Sequence, residues 1–114
     1  MKSKTRIRIV LTDLLAFGPG KAELLLKIGE TGSVQAAAAA MGMSYMKSWK
    51  MIKLLNVSFQ EPLVIMHRGG KSQGGAELTP MGRKIVALYQ EAVASAEAAM
   101  ADPLSRIEAL LVAG

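Results

Sequence analysis

The residues of this sequence that could do chemistry are mainly cations, and their spacing favours binding over catalysis. Lys47 and Lys50 lie in a stretch whose apolar residues repeat with the period of an amphipathic helix. Both lysines fall on the side opposite Trp49, which predicts an outward basic surface and an indole anchored in the core. Outward lysines suit phosphate groups, which receive most protein–DNA hydrogen bonds. The predicted core side of this helix carries Tyr45, Trp49, Ile52 and Asn56, and the hydroxyl of Tyr45 could instead contact a phosphate or a base.

Catalytic or metal chemistry has no comparable support in the sequence. The chain has no cysteine, which excludes disulfides, thiolate zinc sites and cysteine nucleophiles. The single histidine, His67, has no acid or nucleophile at an interpretable spacing, so we expect a structural or phosphate-contacting role for it. Gly70-Lys71-Ser72 resembles the end of a phosphate-binding loop, but Ile65 stands where that motif needs a glycine. We therefore expect no enzyme activity, no metal and no cofactor.

Positive charge is concentrated in the middle of the chain. Residues 44–84 carry seven basic and two acidic side chains, whereas residues 85–114 carry one basic and four acidic ones. This asymmetry, within a net charge of +5, suits a polyanionic partner. The length of 114 residues and a hydrophobic content of 51% allow one compact domain. Since no apolar run approaches the ~18 residues of a membrane span, we expect a cytoplasmic protein without membrane contact.

The elements around the lysines predict a helix-turn-helix. Ser33 and Ser44 are good N-caps, because a serine hydroxyl can accept hydrogen bonds from the free amides of the next turn. Gly42 supplies the turn between the two helices, and five consecutive alanines keep the first of them thin enough for close crossing. The predicted elements are a strand over residues 6–12, a helix over residues 21–30 ended by Gly32, and helices over residues 34–41 and 45–59.

The second half of the chain predicts a hairpin and a long helix. Two short apolar runs flank a glycine-rich tip, and Pro80 suits the first helical position because its missing N–H costs no hydrogen bond there. Pro103 predicts that this helix ends near Ala101 and that a last amphipathic helix restarts behind it. The predicted strands cover residues 63–67 and 76–78, and the last helix has Leu104, Ile107 and Leu111 on its apolar side. We accordingly divide the chain into a domain of residues 1–101 and a C-terminal helix of residues 102–114.

These elements predict a mainly α fold with a small β-hairpin wing, a winged helix-turn-helix with a long C-terminal helix. In such a fold the helix after Ser44 enters the major groove, and the basic hairpin reaches the backbone or the minor groove. The candidate DNA-binding residues are Ser33, Gln35, Ser44, Tyr45, Met46, Lys47, Lys50, Arg68, Lys71, Ser72 and Gln73. The candidate dimerisation face of the long helix consists of Ile85, Leu88, Ala92, Ala96 and Ala99.

Several ungapped motifs, taken in order, resemble the N-terminal DNA-binding domain of the ModE family, molybdate-responsive bacterial regulators related in fold to the LysR-type winged helix. The matching residues include Gly18-Pro19-Gly20-Lys21, Glu30-Thr31-Gly32-Ser33-Val34, Met41-Gly42-Met43-Ser44-Tyr45 with Trp49, Glu61-Pro62-Leu63-Val64, the glycines around Lys71, and Leu78-Thr79-Pro80 with Gly82. The resemblance implies a homodimeric transcriptional regulator that binds double-stranded DNA.

This chain departs from the family pattern in two ways. The family usually has a basic residue directly after the serine–tyrosine pair, whereas Met46 stands there and Lys47 follows, so the exact base contacts stay open. Full-length members also carry a C-terminal oxyanion-binding domain, and this chain ends soon after the linker helix. The resemblance therefore implies DNA binding but not the sensing of molybdate, and we expect no small-molecule effector.

Two alternatives stay open from the sequence. The fold could serve as a protein-interaction module that does not bind DNA, and a flat dependence of binding on salt would favour that reading. The long helix could also pack back on its own domain instead of joining two copies of the chain.

Overall fold

The computed structural model describes residues 3–67 and 75–112 of the chain. Within that part, two small antiparallel hairpins and four helices confirm the predicted winged helix-turn-helix with a long C-terminal helix. None of these helices combines the length and the hydropathy that crossing a bilayer requires, as far as the described residues extend. The elements are β1 (Ile9–Val10), β2 (Ala16–Phe17), α1 (Pro19–Thr31), α2 (Val34–Ala40), α3 (Tyr45–Ser58), β3 (Val64–His67), β4 (Gly75–Leu78) and α4 (Pro80–Ala109).

Helices α2 and α3 begin behind the serines that the sequence predicts as their caps, and α1 ends at the predicted glycine. Ser33 Oγ accepts a hydrogen bond from the amide of Ala36 at 3.0 Å. Ser44 Oγ accepts one from the amide of Lys47 at 3.0 Å, so both serines cap helices as expected. Gly32 ends α1 with a φ of 71°, in the left-handed region where a side chain would strain the backbone.

The core lies among the first three helices, both hairpins and the first half of α4. Leu24, Leu25 and Ile28 of α1 have no exposed surface, which confirms the predicted core face of that helix. Ala37 and Ala38 of α2 are buried as well. Because their side chains are single methyl groups, α1 and α3 can both pack closely against this short helix.

The predicted core face of α3 is right only in part. Ile52 is fully buried and Trp49 packs against the edge of the core, as expected. Tyr45, however, is exposed, and the buried side turns toward Ser48 and Leu55, which the prediction did not include. The physical reason lies in Ser48, whose hydroxyl donates to the carbonyl of Tyr45 at 2.7 Å. This local bond satisfies the polar group, so a small polar residue can face the core where a pattern of apolar residues does not reveal it.

The break that the sequence predicts at Asp102-Pro103 is also absent, since α4 runs without interruption from Pro80 to Ala109. A proline inside a helix removes one backbone hydrogen bond, but Met100, Ala101 and Leu104 near it are good helix formers. An ion pair from Arg106 to Asp102 spans the proline on the outside, and Ser3 bonds the Glu108 carboxylate near the end of the helix. The division of the chain into residues 1–101 and 102–114 remains a prediction.

The N-terminal segment forms a shorter ladder than residues 6–12. Only Ile9 and Val10 pair, with Phe17 and Ala16 as their partners. Thr12 limits the ladder, because its hydroxyl oxygen accepts from the amide of Leu15 at 3.0 Å and so closes a tight turn.

The predicted alternation before this ladder is present nonetheless. Ile7 and Ile9 are half-buried, while Arg6 and Arg8 are exposed. The phenol of Tyr89 on α4 donates to the carbonyl of Ile7 at 2.6 Å and so fixes this strand against the long helix. Burial raises the pKa of Tyr89, which keeps the phenol a donor.

Candidate nucleic-acid interface

The first two turns of α3 present an exposed, positively charged surface. Lys47 and Lys50 are both exposed, and neither forms an ion pair within the described residues. Met46 lies beside them with 58% of its surface exposed, and Tyr45 is 45% exposed. Exposed apolar side chains next to free cations suit a surface that contacts both base edges and phosphates.

The two flanks of α3 differ. On one flank Trp49 packs against the core, and the ammonium group of Lys53 lies 5.9 Å from the centre of the indole ring. This cation–π contact occupies Lys53. On the other flank Lys47 lies one turn before Met51, and it makes no comparable contact in the part of the chain that the structure describes. Lys47 and Lys50 therefore remain the cations available at the front of the helix.

The start of α2 adds two polar side chains to the same unit. Ser33 is half-buried and its oxygen accepts the capping bond, which leaves its hydroxyl proton available to donate. Gln35 is exposed in the first turn. Ser44 is exposed and has the same acceptor geometry as Ser33. The structure therefore places all seven predicted residues of the helix-turn-helix at or near the surface of one unit.

The wing hairpin is tied to α3 by a residue that the sequence interpretation placed on the core side of that helix. Asn56 Nδ2 donates to the carbonyl of Val64 at 3.0 Å. Its Oδ1 accepts from the amide of Leu63 at 2.8 Å and from that of Val64 at 3.1 Å. Three bonds to backbone thus fix the first strand of the wing relative to α3. The only signal in the sequence is an amide side chain near the helix end, which by itself does not reveal its partners.

The wing is held from two further directions. The amide of Ala76 in β4 donates to the carbonyl of Gly32 at 2.8 Å, which attaches the hairpin to the end of α1. Thr79 Oγ1 donates to the carbonyl of Pro62 at 2.7 Å and accepts from the amide of Gly82 at 2.9 Å. The predicted cap of the long helix therefore also fixes the base of the wing.

The tip of the wing holds four of the predicted DNA-binding residues. Arg68, Lys71, Ser72 and Gln73 lie outside the described residues. The strand ends that carry the tip are described, and there His67 Nε2 and Glu77 Oε1 lie 3.1 Å apart on the exposed face. The lone histidine is therefore part of a cross-strand pair at the base of the tip.

The predicted dimerisation stripe runs along α4 beside the face that covers the core. Leu88 is 50% exposed, and Ala92 and Ala99 are exposed, whereas Ile85 and Ala96 are half-buried. Its own domain buries Gly82, Val86 and Tyr89 of α4, and Ile85 of the stripe packs against the edge of the same core. The part of the stripe from Leu88 onward is therefore the part left for a second copy of the chain.

The fold and this surface define a class of protein, and comparison with known proteins agrees. Residues 20–83, more than half of the chain, match the family described as bacterial regulatory helix-turn-helix protein, lysR family. The chain belongs to this family, whose members are DNA-binding transcriptional regulators and not a class of enzyme.

Individual relatives show which members of this family the chain is similar to. The chain is 41% identical over 91 residues to the molybdenum-pterin-binding protein MopB of Rhodobacter capsulatus, covering 80% of this chain and 32% of the relative. It is 35% identical over 89 residues to the transcriptional regulator ModE of Yersinia pestis, covering 78% of this chain and 34% of the relative. The DNA-binding transcriptional dual regulator ModE of Escherichia coli (strain K12) is 33% identical over 89 residues, with coverages of 78% and 34%. The chain thus spans about a third of the length of these relatives, and the predicted resemblance to the N-terminal domain of the ModE family is confirmed.

Proposed function

We propose that this chain binds double-stranded DNA sequence-specifically, as a homodimer, and regulates transcription. The observation that carries the proposal is the start of α3, where Lys47 and Lys50 are exposed beside Met46 and form no ion pair within the described residues. A capped helix that presents free cations from a rigid two-helix support has the geometry that major-groove recognition needs.

Each predicted contact residue of the helix-turn-helix is assigned a role that suits its exposure and chemistry. Lys47 and Lys50 bind phosphates on the two sides of the groove, and Tyr45 and Met46 contact base edges. The hydroxyls of the capping serines and the amide of Gln35 donate to the DNA backbone. In the wing, Arg68, Lys71, Ser72 and Gln73 bind the backbone or the minor groove beside the recognition helix.

The long helix supports the homodimer. A helix of 30 residues is about 45 Å long, and beyond Tyr89 every residue that the structure describes keeps part of its surface exposed. A second copy of the chain would cover Leu88 and the alanines that follow it along the stripe. Two copies related by a two-fold axis read half-sites about one helical turn apart.

DNA as the proposed partner also indicates where in the cell the protein acts. Because chromosomal DNA of a bacterium lies in the cytoplasm, we propose that the chain acts there. The proposal assigns it no catalytic step and no effector of its own. The relative from Rhodobacter capsulatus is named for binding molybdenum pterin, and the region shared with this chain is a third of that protein.

The test is a selection from random double-stranded DNA, followed by affinity measurements at several salt concentrations. We expect enrichment of a sequence with two half-sites. If the two copies together neutralise about 6 phosphates, log affinity falls with log salt at a slope of about −5.4. An unenriched pool with a flat salt response would overturn the proposal and favour a protein-interaction module.

A second measurement tests the homodimer by itself. Leu88→Glu places a carboxylate in the stripe, whereas Ala98→Glu places one on an exposed position of the same helix away from it. In sedimentation experiments we expect only the first variant to become monomeric. If both variants behave as the unaltered protein does, α4 does not join the copies through this stripe.

A further inference from the structure

Three basic residues line one open cleft that the proposed DNA contacts do not include. The cleft has a volume of about 400 Å³ and lies between the N-terminal segment, the start of α1 and the middle of α3. Arg6, Arg8 and Lys21 line it, together with Gly20 and Met51. Among the described residues no carboxylate lines the cleft, and none of the three cations forms an ion pair.

The local structure explains why the two arginines face the same way. Successive side chains of an extended segment point to opposite sides, so the inward turn of Ile7 sends both Arg6 and Arg8 outward. The bond from Tyr89 to the carbonyl of Ile7 fixes the segment in this register. Gly18 packs directly against it, because a Cβ on this glycine would lie 3.5 Å from the Cα of Arg8. The arginines are therefore held beside the start of α1 by backbone packing.

Among the described residues that line the cleft, none carries a negative charge to balance the three cations. Burial, and after it the charge of Arg8, lower the pKa of Lys21. Gly18 provides no side-chain cap, and the first turn of α1 contains no acidic residue. The amides of Gly20 and Lys21, at the beginning of the helix, have no intrahelical partner. They add donors to a site whose main feature is the group of three cations.

We propose that this cleft is a binding site for a phosphate group, held by the side chains of Arg6, Arg8 and Lys21. Two guanidinium groups and one ammonium group supply the positive charge and the hydrogen-bond donors that a tetrahedral oxyanion needs, and the cleft that their residues line has room for it. The cleft does not include the first turns of α3, but it adjoins them. Met51, which lines the cleft, lies one turn after Lys47 on the same flank of that helix. The phosphate comes either from the bound DNA strand, in which case the inference rests on the proposed function, or from free phosphate.

Gly20 allows the site to be closed without disturbing the fold. A Cβ built on it meets no atom of the described residues within 4 Å, so larger side chains fit there. Gly20→Glu puts a carboxylate among the three cations, where it competes with phosphate. Gly20→Gln adds a side chain of the same size without charge. Arg8→Ala removes one proposed ligand, and Lys84→Ala removes an exposed charge elsewhere on the surface.

The first arm measures thermal unfolding with inorganic phosphate replacing chloride at constant ionic strength. If free phosphate is the ligand, the melting temperature of the unaltered protein rises by about 5 °C at roughly ten times the dissociation constant. Gly20→Gln and Lys84→Ala retain a rise, while Gly20→Glu and Arg8→Ala lose it.

The second arm measures DNA affinity against salt for the same variants. If the ligand is a phosphate of DNA, Gly20→Glu and Arg8→Ala make the slope shallower by about 0.9 for each copy, and the two controls do not. An effect in either arm supports the site. DNA binding that is unchanged in all variants, with no phosphate response, overturns the site and leaves the proposed function standing. A phosphate response in a protein that binds no DNA would overturn the proposed function and leave the site.

Discussion

The two sides of the DNA-binding unit are built from different kinds of residues. The back side, which we define as Ser48, Asn56, Thr79 and Gly82, is buried or half-buried, and its side-chain polar atoms all bond to backbone of the same chain. The front side, defined as Met46, Lys47 and Lys50, is exposed and has no ion pair within the described residues. The back side fixes where the helix and the wing lie, and the front side provides contacts. Changes on the back should therefore lower stability, whereas changes on the front should lower affinity alone.

The largest effect is expected for Gly82→Ala. The new methyl group would lie 2.6 Å from Leu78 Cδ1 and closer still to the carbonyl oxygen of Leu63, and the backbone cannot yield as a flexible side chain can. Such overpacking should cost about 3 kcal/mol of unfolding free energy, measured by urea denaturation. Gly20→Ala is the matched control, because its methyl group meets open space and should not destabilise the protein. Equal stability of the two variants would show that α4 does not approach the wing closely.

Asn56→Ala should have the next largest effect. The change removes three hydrogen bonds and leaves backbone groups of Leu63 and Val64 without their partner. We expect a loss of about 2 kcal/mol in urea denaturation. Gln60→Ala, an exposed amide nearby, should leave stability unchanged. If the urea midpoint of Asn56→Ala equals that of Gln60→Ala, Asn56 does not hold the wing against α3.

Ser44→Ala tests the boundary between the two sides. The variant loses the cap of α3, so we expect a loss of about 1 kcal/mol in thermal unfolding. Ser44→Asp keeps an acceptor for the amide of Lys47, and it should retain the stability. The same aspartate places a negative charge at the DNA surface, so its affinity for DNA should fall. Retained affinity in Ser44→Asp would remove this serine from the proposed interface.

The smallest effect on stability is expected on the front side. Lys47→Ala and Lys50→Ala should each change the unfolding free energy by less than about 0.5 kcal/mol, since exposed residues without partners contribute little to it. Leu55→Ala, on the buried side of the same helix, should cost about 3 kcal/mol. If a front lysine and Leu55 were equally important for stability, the orientation of α3 described here would be wrong.

The sequence predicts the helix ends better than the helix faces. Caps and glycine ends act locally, so Ser33, Ser44 and Thr79 could each be recognised from a few neighbouring residues, and the structure confirms all three. The core face of α3 could be recognised only in part. Its buried position at Ser48 depends on a hydrogen bond along the same helix, and apolar spacing alone does not reveal it.

Contacts between distant segments also could not be predicted from the sequence. Asn56 bonds to a strand that begins eight residues later, and Tyr89 bonds to Ile7 across 82 positions of the chain. Pro103 shows the converse case, because a strong local signal predicts a helix break that the structure does not contain. Of the predicted interface, the lysines of α3 are placed at the surface as expected, and their contacts with DNA remain a prediction.

The salt dependence of DNA binding by the double variant Lys47→Ala/Lys50→Ala tests the account most directly. With two copies bound, the variant removes up to four phosphate contacts, so the slope of log affinity against log salt should become shallower by about 3.6 while the melting temperature stays the same. A slope equal to that of the unaltered protein would contradict the claim that these lysines form the DNA-binding surface.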